Sequence, residues 1–324
     1  MSSFKVIMIG GTSYSGSTML EMMLANDEAG FSCGEVWSLF MPHKLQQFGP
    51  RFPMEDSDPD FWQRILKKGV KNVYRSVADE VSGIQFITDN TKRPTWQNMQ
   101  ASHLREEGHK VKHVLIWKTP EELAPSFHKR KRGNIWMAKW LKYHRQYFSL
   151  ISEFRCVRYS DLVNNPETLK NLCDYLEIDY FDDKKDYWNK EHYTLFGNKS
   201  AKVHLFDTKS EDYSRVTKKM EQGTGETGND NHRQVKYKTS DASAYADEIE
   251  RVKASPIYKQ TIAMLNAQDI NNPVPSTLEF NYLNSIQKAG KMTIFHLFRA
   301  ATRISLLIFQ ITGVKIGRKV VTAE

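Results

Sequence analysis

The run Val6-Ile7-Met8-Ile9 is wholly apolar and stops at Gly10-Gly11. It predicts a buried strand that ends in a glycine turn. Beyond the turn, Met19, Leu20, Met22, Met23 and Leu24 recur at helical spacing and leave Glu21 and Asn26 for another face. Further along, Phe61, Trp62, Ile65, Val70, Val73, Tyr74 and Val77 predict one helix over 59–81. Short apolar runs predict strands at 84–87, 111–117 and 154–159. Helices are predicted at 120–131, 135–151, 166–176 and 244–266. Pro120 and Pro166 open two of these helices, and Glu121 and Glu122 suit a first turn. Strands alternating with helices predict an α/β fold, a P-loop-like three-layer sandwich whose parallel sheet is covered on both faces. In such sheets ligands bind beyond the C-terminal strand ends. Glu35, Asp89, Lys92, Lys118 and Ser126 all fall at or soon after such ends.

Residues 1–270 read as one domain, in which the polar, Gly- and Asn-rich stretch 207–240 is expected to be a mobile loop. Residues 271–324 read as a linker and a basic C-terminal helical segment. Between Glu279 and Glu324 there is no acidic residue, while Lys288, Lys291, Arg299, Arg303, Lys315, Arg318 and Lys319 are present. Ile294, Leu297, Phe298, Ala301, Ile304, Ile308 and Ile311 share a helical face. Arg299 and Arg303 inside that run argue against a spanning helix. The segment reads either as an amphipathic helix on an anionic membrane surface, through 292–319, or as one packed on the protein itself or a second subunit. Its pattern does not separate these, and no oligomeric state follows.

The glycine turn changes the picture from fold to chemistry. A strand–turn–helix of this kind gathers backbone N–H groups and a positive helix end at one spot, which suits an anion. Gly11, Gly16 and Thr18 stand where a P-loop has its glycines and hydroxyl, but Ser17 stands where it has its lysine. A nucleoside triphosphate site uses that lysine on the β- and γ-phosphates. A lysine-free turn can still cradle one phosphate, or simply be an ordinary βα turn. Ser17 and Thr18 also suit plain N-capping.

Composition narrows the partners. The 324 residues carry a net charge of +8, with 40% hydrophobic and 12% aromatic residues, so a sizeable core and anionic partners are expected. Three cysteines, Cys33, Cys156 and Cys173, make neither a disulfide framework nor a metal spacing and fit a reducing compartment. No signal peptide fits the first residues. A cytoplasmic protein, peripheral at the inner membrane surface, is the expectation.

Several motifs then line up in order. Tyr14-Ser15-Gly16-Ser17-Thr18-Met19-Leu20 resembles the 5′-phosphosulfate loop of sulfotransferases that use 3′-phosphoadenosine-5′-phosphosulfate (PAPS). Gly34-Glu35 resembles their glycine–glutamate motif. Thr88-Asp89-Asn90-Thr91-Lys92 is similar to the Asp-Ser-Ser-Lys strand end of bacterial and carbohydrate members. The stretch 115–127 is similar to their 3′-phosphate strand and helix, in which a basic residue and a serine eight positions later hold that phosphate. Val157-Arg158-Tyr159-Ser160-Asp161-Leu162 and His192 with Gly197-Asn198 are similar to two later elements. The resemblance covers about residues 4–205. It implies PAPS as co-substrate with no metal required. It implies an acceptor hydroxyl on a carbohydrate or glycolipid, and no nucleic-acid partner. Ser15, Gly16, Ser17 and Thr18 would take the 5′-phosphosulfate, and Lys118 and Ser126 the 3′-phosphate. Arg130 is an auxiliary candidate there, although its charge run also suits a solvated face. Glu35 would be the general base, which asks for burial to raise its pKa, and Lys92 the catalytic cation. The competing role for Glu35 is to cap the segment at Val36 or to pair with a lysine. His192 and His204 are rival bases. Asp89 is expected to orient Lys92 or its loop.

The chain departs from that pattern where Tyr14 replaces a basic residue, where Lys118 replaces an arginine, and where Asn90 and Thr91 replace serines. Two other classes stay open. One is a P-loop kinase or NTPase with Asp89 on magnesium, against which the missing lysine argues. The other is a non-catalytic anion- or membrane-binding relative of the fold, which Tyr14 favours.

Overall fold

The computed structural model describes residues 3–41, 58, 60–224, 233 and 241–273. The basic segment 292–319 and most of the polar stretch 225–240 lie outside them. Five parallel strands form one sheet in the order β2-β3-β1-β4-β5. They are β1 (Lys5–Gly10), β2 (Gly30–Ser32), β3 (Phe86–Asp89), β4 (Lys110–Trp117) and β5 (Arg155–Arg158). In chain order the helices begin with α1 (Ser17–Leu24), α2 (Phe61–Lys68), α3 (Val73–Glu80) and α4 (Pro94–Glu106). Next come α5 (Pro120–His128), α6 (Trp136–Leu150), α7 (Tyr159–Asn164) and α8 (Pro166–Leu176). The last described are α9 (Lys199–Lys202), α10 (Glu211–Thr224), α11 (Ala246–Ala254) and α12 (Pro256–Ala267).

Strand alternation sorts the core into layers. From β1, Val6 and Met8 join a cluster with Phe61, Ile65, Tyr74 and Trp96, on the side of α2, α3 and α4. Ile7 and Ile9 point the other way, into a cluster with Leu20, Met23, Leu172 and Leu176 of α1 and α8. From β4, Leu115 and Trp117 meet Trp136, Trp140 and Leu265 in a third cluster. The sheet is therefore covered on both faces, as the alternating pattern predicts.

Several boundaries differ from the sequence reading. The helix predicted over 59–81 stops at Gly69 and restarts at Val73, so it is two helices packed on each other. The helix near 244–266 is likewise broken, at Ser255-Pro256. β2 was not predicted, because three residues carry no readable alternation. Within the expected polar loop, α10 is a helix that buries Tyr213 and Val216 against Val203 and Phe206. The polar face of α1 is also absent, since every residue from Ser17 to Leu24 is buried. Cys33, Cys156 and Cys173 are buried and free. Among the described residues no helix is long and apolar enough to cross a membrane.

Topology fixes where a site can form. β1 pairs with β3 on one side and β4 on the other, so the chain reverses direction across the sheet at β1. Loops leaving adjacent strands there diverge and leave a crevice at the C-terminal edge.

Candidate functional site

The turn after β1 is built for close approach. Gly16 holds φ +99, and a Cβ there would come within 2.5 Å of the Tyr159 ring. Only glycine lets Tyr159 pack against the turn. No side chain caps α1, so the N–H groups of its first turn have no intrahelical acceptor. The Gly11 amide donates to Tyr143 Oη at 2.7 Å, which pins the start of the turn to α6. Thr18 Oγ1 accepts from the Asn198 amide at 3.1 Å. A hydroxyl that accepts in this way keeps its own hydrogen to donate. Thr12 Oγ1 and Ser15 Oγ are buried and meet no partner among the described residues. Two orphaned hydroxyls and an uncapped helix end in one turn are unusual in a folded chain, and both suit an anion. The residues present thus fit the 5′-phosphosulfate end of the nucleotide.

Lys118 leaves the end of β4 beside this turn. Its Nζ lies 3.9 Å from the centroid of the Tyr159 ring, the same ring that packs on Gly16. Tyr159 is thus the wall shared by turn and lysine. Lys118 is held by Trp140, whose indole N–H donates to its carbonyl at 3.1 Å. Thr119 then caps α5 in a capping box with Glu122, at 3.4 Å and 2.7 Å, which fixes how the chain turns after the lysine. Burial lowers the Lys118 ammonium to about 8, opposed by Glu122 and reinforced by Arg130. Ser126 stands half-buried one turn before Arg130, and its carbonyl accepts from the Arg130 guanidinium at 2.9 Å. That guanidinium lies over the Tyr14 ring, 4.3 Å from its centroid, while Phe127 meets the same ring edge-on at 5.0 Å. A cation is therefore stacked on the residue that interrupts the expected basic position.

Glu35 and Lys92 follow β2 and β3 and meet at 2.5 Å, with side-chain exposures of 23% and 17%. Of the roles expected for Glu35, the structure shows the pairing with a lysine, and its side chain makes no capping bond to the segment at Val36. Gly34 sets its position. It holds φ +71 and forms a bridge with Leu195, and a Cβ there would collide with the Leu195 backbone. The Glu35 amide donates to the Leu195 carbonyl at 2.8 Å.

Of the two tasks expected of Asp89, orienting Lys92 or its loop, its bonds serve the loop. Its Oδ2 accepts from Tyr74 Oη at 2.6 Å and Trp96 Nε1 at 3.0 Å, and its Oδ1 from the Thr91 amide at 2.6 Å. It therefore shapes the loop from within the core, where burial raises its pKa. A carboxylate so engaged is poorly placed to ligate magnesium. His192 is buried, bonds the Tyr187 carbonyl at 2.7 Å and is held at about 4 by burial, so it is a packing residue. His204 Nδ1 accepts from the Arg233 amide. Sequence reasoning did not single out Tyr143 or Thr12, and it set Glu21 on a separate face of α1 and gave it no task.

No protein-family profile matches the chain, and no curated protein sequence matches it. Among solved structures, it is similar to the sulfotransferase domain from the curacin biosynthetic pathway, with a TM-score of 0.48 and 15% identity over 78% of this chain and 97% of that one. It is also similar to the sulfotransferase domain from the Synechococcus PCC 7002 olefin synthase, with a TM-score of 0.45 and 15% identity over 78% and 96% of the two chains. A sulfotransferase from Alicyclobacillus acidocaldarius matches with a TM-score of 0.35 and 11% identity over 67% and 94%.

Proposed function

We propose that the chain is a PAPS-dependent sulfotransferase acting on an acceptor hydroxyl of a carbohydrate or glycolipid. The observation that carries the reading is a convergence at one sheet edge. A lysine-free turn with orphaned hydroxyls lies beside Lys118, and an ion pair of Glu35 with Lys92 follows the strands on the other side of β1.

PAPS, when bound, supplies the sulfuryl group. Thr12, Ser15, Ser17 and Thr18, with the amides of the α1 first turn, would hold its 5′ end through N–H and O–H donors. Lys118 and Ser126 would hold the 3′-phosphate. Glu35 takes the proton of the acceptor hydroxyl as its oxygen bonds to sulfur and the bond from sulfur to the phosphate oxygen breaks. Lys92 keeps the carboxylate oriented and places positive charge beside the transferred group. Positioning and fixed charge lower the barrier, as in phosphoryl transfer. Arg130, held on Tyr14, supplies the cation that the turn itself lacks.

Incubation with PAPS and a panel of p-nitrophenyl glycosides and glycolipids, read by mass spectrometry, tests the reading. A product heavier by one sulfuryl group is expected. Nucleotide binding with no sulfated product from any acceptor would leave only the non-catalytic relative.

A further inference from the structure

The chemistry above leaves one fully buried carboxylate without a task. Glu21 sits in the middle of α1, at 0% exposure, where a helix otherwise made of Met, Leu, Ser and Thr offers it nothing. It is nonetheless fully engaged. Its Oε1 accepts from Ser32 Oγ at 2.6 Å and from the Gly34 amide at 2.5 Å. Its Oε2 accepts from Asn90 Nδ2 at 2.5 Å and from Thr194 Oγ1 at 3.2 Å. Those donors come from three separate places: the end of β2, the residue after β3, and the segment that pairs with Gly34. The Asn90 backbone N–H donates to the Gly34 carbonyl at 3.0 Å, which closes the ring between the two strand ends. Gly34 immediately precedes Glu35, and Asn90 lies two residues before Lys92.

A buried charge is kept only where its bonds compensate its desolvation, and a hydrophobic residue would fill the same space at less cost. Three of the four bonds of Glu21 lead to the segments that carry Glu35 and Lys92, and the fourth leads to the segment that pairs with Gly34. We infer that Glu21 is a positioning residue, whose carboxylate fastens the ends of β2 and β3 to α1 and so sets the geometry of the Glu35–Lys92 pair. The inference rests on the reading of Glu35 as the base.

The test compares variants in two backgrounds, with PAPS and the p-nitrophenyl glycoside that reacts fastest with the unaltered chain. Glu21→Asp draws the carboxylate back by one methylene and should lower kcat by about 10²-fold, as small displacements of a catalytic group do. KM for PAPS should stay within about twofold, since the donors of the glycine turn are untouched. In a Glu35→Gln background the same change should cost little more, because the group it positions is already disabled. Thr194→Val removes a single outer donor and should show a smaller loss with the same dependence on background. It carries the comparison should Glu21→Asp not fold. Glu21→Gln keeps the length, and its amide can donate to Asn90 Oδ1, which is buried without a partner once the Asn90 amide turns. It should restore most of kcat relative to Glu21→Asp. Equal losses in both backgrounds, or a raised KM with kcat intact, would overturn the positioning role and leave the sulfotransferase reading standing. No sulfated product from the unaltered chain would remove both.

Discussion

Lys118 sits half-buried against Tyr159 and near Arg130, and these surroundings set how it responds to pH. Its ammonium is lowered to about 8, first by burial and then by Arg130. A bound phosphate dianion favours the charged form, so above pH 8 nucleotide binding must draw a proton from solution. Affinity for 3′-phosphoadenosine-5′-phosphate should therefore fall by up to about tenfold per pH unit above 8. Lys118→Arg, which stays charged, should flatten that fall. Calorimetry in buffers of different ionisation enthalpy reads the proton uptake directly. For Glu35, replacement by Gln keeps shape and removes basicity. Steady-state kinetics should show kcat reduced by about 10²- to 10⁴-fold with nucleotide affinity unchanged. Lys118 was legible because it follows an apolar run that ends at a recognisable turn, and Glu35 through the glycine–glutamate motif alone, since the three-residue strand before it carries no pattern. Arg130 was legible only as one of a basic run, since its place over Tyr14 depends on how α5 is aimed. Glu21 was misplaced because a single acid in an amphipathic pattern reads as solvent-facing. Burial of all faces of α1 by β2, α9 and the segment after α8 is a tertiary fact that periodicity does not contain.

At the scale of elements, the site depends on turns more than on helices. Gly16 must hold a left-handed φ against the Tyr159 ring, so Gly16→Ala strains the backbone and displaces the wall shared with Lys118. The expected outcome is loss of nucleotide binding by at least about tenfold, with global stability lowered by only about 1 kcal/mol, since one turn and not the core is disturbed. Paired binding and urea-unfolding measurements separate the two effects. The strong elements, β1, β4, α5 and α8, were predicted to within a few residues, because their apolar runs and proline or acidic caps agree. β2 was not, since a three-residue strand is defined by its pairing with β3 and not by its own pattern. α10 was read as loop because polar composition hid the two residues, Tyr213 and Val216, that anchor it.

For the whole molecule, buried ionisable groups set an opposing pair of pH trends. His113 is held at about 3, and His144 and His192 at about 4, in each case by burial. Their unfolded forms bind protons that the folded forms refuse below pH 6.5, so each withdraws stability as pH falls, by about 3 to 5 kcal/mol at the limit. Glu21 works the other way. Burial raises it to about 7, so it withdraws stability as pH rises from about 4.5 to 7, by about 3 kcal/mol. Three histidines outweigh one glutamate. Urea midpoints should therefore fall as pH is lowered from 7 to 5, and Glu21→Gln should steepen that fall by removing the opposing trend. The sheet order, with β1 between β3 and β4, brings both halves of the proposed site to one edge, and this much the alternation of strands and helices had implied. The central claim is that the lysine-free turn and Lys118 together grip a nucleotide carrying a 3′-phosphate. Isothermal titration of the purified chain with 3′-phosphoadenosine-5′-phosphate, without magnesium and in parallel with magnesium–ATP, tests it most directly. The account predicts saturable one-to-one binding of the first nucleotide, lost in a Lys118→Ala variant, whereas uptake of magnesium–ATP with no response to the first would contradict it.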